Sequence, residues 1–310
     1  MTAQTAERET ARARPAPARR RRGPGRARGR AALVLLAPFG LLFTWVFAAP
    51  IGYALHQSLF TVRRSGLGLE APVRVFAGAG NYLRALTDEA VLAGVGRVLL
   101  FGAVQVPVML GLALLLALLL DGASARFKRF FRLAFFLPYA IPGVVAAILW
   151  AYLYLPSFSP LHSLTGVDFL SSGSVLWSTA NVVTWSWTGY NMIVIFTALQ
   201  AVPRELYEAA AMDGAGALRI ALRVKIPLVR PALVLTGVFS IIGTLQLFNE
   251  PTVMRAITRS VTSDYTPAMA AYQAAFGAGD YNYAAAIAVV LALTTCVLSY
   301  LFLTLGRSAR

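Results

Sequence analysis

The chain has 310 residues, of which 58% are hydrophobic and only 13% charged, with a formal net charge of +15 and a mean hydropathy of +0.65. Soluble domains carry about 25% charged residues, so a water-soluble fold is excluded and burial of apolar surface in lipid is expected. The single cysteine, Cys296, lies inside an apolar run, which rules out an internal disulfide and reads as a small buried residue.

Residues 1–30 are built mainly from Arg, Ala, Pro and Gly, including "RRRRGPGRARGR", and form a disordered basic arm because they have nothing to bury. Charge alone also suits a nucleic-acid tail, but directly before an apolar run it reads more simply as a topology determinant drawn to anionic lipid. The run after Arg30 is too long for the apolar part of a cleaved signal peptide, and "FAAP" puts a proline after the small pair, so an uncleaved first helix is expected.

Six stretches lack Asp, Glu, Lys and Arg: 31–62, 98–120, 133–167, 169–203, 231–249 and 281–306. Each is long enough for the roughly 20 residues that cross a bilayer as a helix, and the two longest also hold a loop. The expected fold is therefore all-α, a polytopic membrane domain over 31–306 with six transmembrane helices. Between the first two spans, "FAGAGNYLRALTDEAVLAGVGR" starts as a loop and continues as a short external helix. Span 2 ends at Asp121-Gly122 before the basic "ARFKRFFR", span 3 is kinked by Pro138 and Pro142, and span 4 is unusually polar. Residues 265–279 are too short and too rich in Ala and Gly for a span, and read as an external loop with a short surface helix. With both termini cytoplasmic, 21 of the 28 basic residues fall inside, as the positive-inside rule requires. Residues 307–310 then form a cytoplasmic tail.

Soluble chemistry is missing. Neither Lys128 nor Lys225 follows a glycine, so no phosphate loop exists. His56 and His162 are far apart and have no Cys partner, so no metal site is expected. There is no G-x-S-x-G elbow. The apolar runs also lack the carboxylates that mark proton-coupled carriers, although a carrier of another type does not need them.

One charged passage interrupts the chain between spans 4 and 5, "ELYEAAAMDGAGALRIALRVKIPLVRPAL" at 205–233. Pro203 suits a helix start, Glu205 and Glu208 sit where the helix dipole favours acids, and Gly214 and Gly216 end the helix. A second amphipathic segment follows, with Pro227 and Pro231 marking a turn into span 5. The plain reading is an interfacial amphipathic helix. However, Glu208-Ala209-Ala210, three residues, Gly214, nine residues, then Val224-Lys225-Ile226-Pro227 resembles the E-A-A-x-x-x-G-x9-I-x-L-P loop of the membrane subunits of bacterial ATP-binding-cassette (ABC) importers. Val224 and Ile226 depart conservatively from it. "FFLPYAIPGVVAAILW", "LQLFNEP" and "AYQAAFGAGDYNYAAAIAVVL" are similar to the carbohydrate-uptake subfamily, which includes maltose, multiple-sugar and glycerol-3-phosphate systems, and the ending resembles its first permease subunit. After "FNEP" the chain reads "TVMRAITRSVTSDYTP" in place of that family's Gly-rich loop.

The resemblance implies the type I importer permease architecture in a bacterial inner membrane. It also implies a second permease subunit, two copies of an ATPase subunit that bind ATP and magnesium, and an extracytoplasmic solute-binding protein. The chain itself would be non-catalytic and hold no cofactor. Within a coupling loop at 203–231, Glu208 and Asp213 would anchor, Ala209 and Ala210 would allow close contact, Gly214 would turn and Pro227 would stiffen the exit. For the substrate path, span 4 offers Asn181, Trp185, Trp187, Tyr190 and Asn191, and the end of span 5 offers Gln246, Asn249 and Glu250. These residues combine hydrogen bonds with aromatic faces, as sugars require, and equally serve helix packing and interfacial anchoring. A sugar, glycerol-3-phosphate or another small polar solute, and an ATP-independent carrier, remain open as readings.

Overall fold

The computed structural model describes residues 25–63, 71–122 and 127–308, with side chains described for 34–63, 71–122 and 127–306. The chain falls into two units, Met1–Gly52 and Tyr53–Arg310. The first contains α1 (Gly25–Phe43), a π turn at Thr44–Ala48 and the start of α2 (Ala49–Ser58). The arm boundary expected at residue 30 falls inside a helix: Gly25 to Arg30 open α1, because Ala and Arg are good helix formers and extend the helix backwards from the apolar run despite two glycines. Residues 1–24, the rest of the expected arm, lie outside the described residues.

In the second unit, β1 (Phe60–Arg63) and β2 (Val73–Phe76) pair antiparallel with Phe60 opposite Phe76. The helix α3 (Gly80–Thr87) follows, then α4 (Glu89–Asp121). The Asp88 carboxylate caps α4 by accepting from the amides of Ala90 and Val91. It also accepts a hydrogen bond from the Tyr283 hydroxyl at 2.7 Å, and that bond holds Asp88 below the usual carboxylate range.

The kinked third span is two helices, α5 (Lys128–Ala140) and α6 (Gly143–Tyr154), bent by 93°. Pro138 and Pro142 remove two amide donors, and the chain turns between them. The helix α5 starts among the basic residues, ahead of the uncharged run. After the short α7 (Pro160–Thr165), α8 (Val175–Gln200) forms the centre of the unit. On one half of its length Met192, Ile195 and Leu199 pack on Ala113 and Ala117 of α4. On the other, Val175 and Val182 join Phe101 and Met254. Gly189 lets α8 touch α5: a Cβ built there would lie 1.8 Å from the Phe135 carbonyl oxygen. Small residues of this kind permit helix contact in lipid, where no hydrophobic force drives it.

Next come α9 (Glu205–Met212) and α10 (Ala217–Ile220), a π turn at Ala221–Lys225, α11 (Ile226–Leu245) and α12 (Asn249–Arg255). The turn expected at Pro227 and Pro231 is absent, since α10, the π turn and α11 run on without a break. Both this π turn and the one at Thr44–Ala48 end two residues before a proline. Widening the helix there relieves the clash between the proline ring and the carbonyl four residues back.

The last elements are α13 (Pro267–Tyr272), a π turn at Gln273–Gly277, and α14 (Tyr281–Ser308). The segment expected as a surface helix at 265–279 is instead packed. Tyr265, Met269 and Ala270 are buried, and the Pro267 backbone sits against Gly94 of α4. Its small side chains bring it close to α4 and α14 although it is too short to span.

Among the described residues, five helical stretches are long and apolar enough to cross a membrane, and a sixth exists when α5 and α6 count as one. Large apolar side chains such as Leu112, Leu115 and Leu119 of α4 stand exposed along these helices, as lipid rather than water demands. The fold is an all-α multi-pass membrane domain.

Candidate functional site

The loop between α8 and α11 is built from a closed helix. Glu205 and Glu208 occupy the first turn of α9, where the N-terminal partial charge favours carboxylates. At its other end Gly214 has φ +77°, a conformation that costs glycine little. The Gly214 amide donates to the Ala211 carbonyl and the Ala215 amide to the Ala210 carbonyl, both at 3.0 Å. This is a Schellman closure, so the spacing from Ala210 to Gly214 has a structural cause. Gly216 then caps α10, and its carbonyl accepts from the Ile220 amide. Glu208, Ala209, Asp213 and Gly214 are exposed, while Ala210 is half-buried. Pro227 is exposed and lies near the start of α11, in a continuous helix rather than a turn.

A charged cluster ties this loop to the bundle. Asp121, the last residue of α4, accepts from the Gln200 amide on Oδ1 at 2.6 Å and from the Lys225 ammonium on Oδ2. The Asp121 and Lys225 side chains are only 8% and 15% exposed. Lys225 also stands 4.8 Å from the centre of the Tyr207 ring, and the Tyr207 hydroxyl is buried without a hydrogen-bond partner among the described residues. Burial, and next the Asp121 charge, push that phenol above its usual range, so it stays neutral. A groove of about 510 Å³ runs beneath the loop, lined by Asp121, Lys128, Gln200, Arg204, Glu208 and Lys225. Asp121 and Gln200 carry no signal in sequence, since they lie 79 positions apart and meet only in the fold.

The proposed path residues fall into separate groups. Trp187 and Tyr190 meet edge to face, and Tyr139 of α5 completes the group by stacking on Tyr190 at 4.8 Å and touching Trp187 at 5.2 Å. Tyr139 carried no signal in sequence, because it neighbours these rings only across the α5–α8 contact. Asn191 is different: it is 2% exposed, donating to the Trp187 carbonyl and toward the Met109 sulfur, so it serves the α4–α8 contact. Asn181 donates to the Tyr154 hydroxyl at 2.8 Å, and Trp185 packs on Trp150. Gln246 and Asn249 are exposed on either side of the break between α11 and α12. Glu250 is half-buried, and its carboxylate approaches Gly143 at the N-terminus of α6, which suits an acid. Among the described residues no group of His, Cys, Asp and Glu could hold a metal ion.

Comparison with known proteins places this geometry. The lactose transport system permease protein LacF of Rhizobium radiobacter is 31% identical over 283 residues, covering 83% of this chain and 91% of that one. The sn-glycerol-3-phosphate transport system permease protein UgpA of Yersinia pseudotuberculosis is 30% identical over 268 residues, covering 83% and 86%. The diacetylchitobiose uptake system permease protein NgcF of Streptomyces coelicolor is 29% identical, covering 75% and 71%. A chain of a bacterial ABC transporter involved in the import of the acidic polysaccharide alginate shares the fold, with a TM-score of 0.76 at 18% identity, over 91% of this chain and 96% of that one. Residues 109–307, from mid-α4 almost to the end of α14 and including the closed loop helix, match the family of binding-protein-dependent transport system inner membrane components. An apolar helical bundle, a capped loop helix set between two spans and that match lead to one conclusion: the chain belongs to this family and is a multi-pass, non-catalytic membrane component of a transport system.

Proposed function

We propose that this chain is a permease subunit of an ATP-driven importer of sugars or oligosaccharides, forming part of the translocation path and receiving work through the loop at 203–231. One observation carries the reading: a short Schellman-closed helix presents Glu208 and Ala209 outward and is joined by a short turn at 213–216 to α10, which continues through the π turn into α11. Only one short turn stands between the docking helix and the continuous helix that enters the span, so displacement of a docked protein reaches α11. The docked protein is an ATPase subunit, present in two copies and holding the ATP and magnesium. A second permease subunit completes the path, and an extracytoplasmic solute-binding protein delivers the cargo.

The loop and both termini then face the cytoplasm, in line with the concentration of basic residues in those segments. The substrate class rests on the relatives named for lactose and diacetylchitobiose uptake. The relatives named for sn-glycerol-3-phosphate transport favour a second reading, a small phosphorylated polyol. In the path, Trp187 and Tyr190 offer aromatic faces, and Gln246, Asn249 and Glu250 offer hydrogen bonds.

The test is Gly214→Asp in the assembled complex. A Cβ at Gly214 meets nothing within 4 Å in this chain, so the substitution costs only the strain of a positive φ, about 1 kcal/mol, and leaves the fold in place. The carboxylate does stand where a partner docks. The expected outcome is normal membrane insertion, continued ATP hydrolysis and loss of uptake; normal uptake at normal expression overturns the assignment.

A further inference from the structure

A carboxylate at the C-terminus of a helix opposes the helix dipole, and burying it adds desolvation. Asp121 does both, as the last residue of α4 with its side chain 8% exposed. Its own helix gives no reason for it, so the reason lies in what it holds together. Among the described residues each carboxylate oxygen has one donor, and the two donors come from different elements: Gln200 is the last residue of α8, and Lys225 the last of the π turn feeding α11. Lys225 in turn covers the ring of Tyr207, on the face of α9 opposite to the exposed Ala209. Four elements thus converge on one carboxylate: α4, α8, the start of α11 and, through the lysine, the loop helix.

We propose that Asp121 is the positioning residue of the coupling step, a buried ionic hub that makes the loop helix and the ends of α4, α8 and α11 move as one body. It touches neither cargo nor nucleotide and acts through Lys225 and Gln200. Without the hub the loop helix still docks, but it tilts on its own, because α9 joins α8 and α10 only through short turns at 201–204 and 213–216. A buried ion pair is weak evidence for stability, and its better-attested use is to select one arrangement. The π turn fits that use, since it places Lys225 next to Asp121 while keeping the helix continuous into α11. The inference rests on the reading of 203–231 as the coupling loop.

The experiment uses the complete complex in proteoliposomes loaded with ATP, measuring solute accumulated per ATP hydrolysed. Asp121→Asn keeps the volume and one acceptor but removes the charge that holds Lys225. The expected result is a coupling ratio about tenfold lower, with ATP turnover continuing. Gln200→Leu, at an exposed position that tolerates change, lowers the ratio about threefold. Exchange of the pair, Asp121→Lys with Lys225→Asp, restores most of the wild-type ratio, which a merely space-filling role does not explain. Wild-type coupling in Asp121→Asn overturns the hub. Should Asp121→Asn not assemble, Gln200→Leu and the exchanged pair decide, and an unchanged ratio in Gln200→Leu overturns it alone. Gly214→Asp run in parallel separates the two levels. If it uncouples while Asp121→Asn does not, only the hub fails; if neither uncouples, the coupling-loop reading fails with it.

Discussion

Glu208 and Ala209 are left exposed on a helix that is closed at its C-terminal end, which is what a surface awaiting a partner requires. The residues proposed for the cargo differ in how far they are engaged with their own chain. Asn191 is committed to the contact between α4 and α8. Trp187 is exposed on one face and packed on Tyr139 and Tyr190 on the other, and Asn249 is exposed where α12 begins. Trp187→Ala and Asn249→Ala are therefore the informative pair. Each is expected to weaken sugar binding to the assembled complex about fivefold, the equivalent of ~1 kcal/mol for one neutral contact, as read by equilibrium binding of labelled sugar. Unchanged affinity in both assigns these side chains to packing and interfacial anchoring.

At the scale of elements, the contact between α5 and α8 depends on the absence of a single atom. Gly189 faces the backbone of Phe135 and Phe136, and a Cβ would meet the carbonyl carbon at 2.5 Å. Backbone cannot swing aside as a side chain can, so Gly189→Ala must push the two helices apart. Overpacking of this kind costs about 1–3 kcal/mol. The expected outcome is a lower midpoint of thermal unfolding in detergent and a disturbed Tyr139–Tyr190 stack; an unchanged midpoint shows that α5 floats on α8 rather than packing against it. The π turns make a related point. Proline in mid-helix ordinarily breaks or kinks it, yet α10 and α11 stay continuous across Pro227 because the preceding turn is widened.

Among the described residues large apolar side chains are exposed along the helices, and the ion pairs Arg84–Asp280 and Asp121–Lys225 lie at or beside helix ends. The uncharged runs contain none of the carboxylates that mark a proton-coupled carrier, although a carrier of another type does not need them. Uptake in cells is expected only when this chain is produced together with an ATPase subunit, a permease partner and a solute-binding protein, and to stop when the nucleotide site of the ATPase is inactivated. Uptake by this chain alone, measured in vesicles without nucleotide, overturns the importer reading in favour of a secondary carrier.

Span number, the end of α4 at Asp121 and the closure of α9 at Gly214 were legible in order along the chain, because apolar runs and capping signals act over a few neighbouring residues, whereas the start of α4 at Glu89 lies nine residues ahead of its uncharged run. The sequence could not show that 265–279 is packed, because short Ala-rich segments look alike in lipid, in water or against a helix. Nor could it show the continuous path through Pro227, since the π turn that rescues it has no local signature. The meeting of Asp121 with Lys225, 104 positions apart, and of Tyr139 with Trp187 was decided by tertiary structure alone. Local periodicity determines which segments become helices, whereas the side chains that meet at helix ends and crossings depend on how the helices are arranged in space.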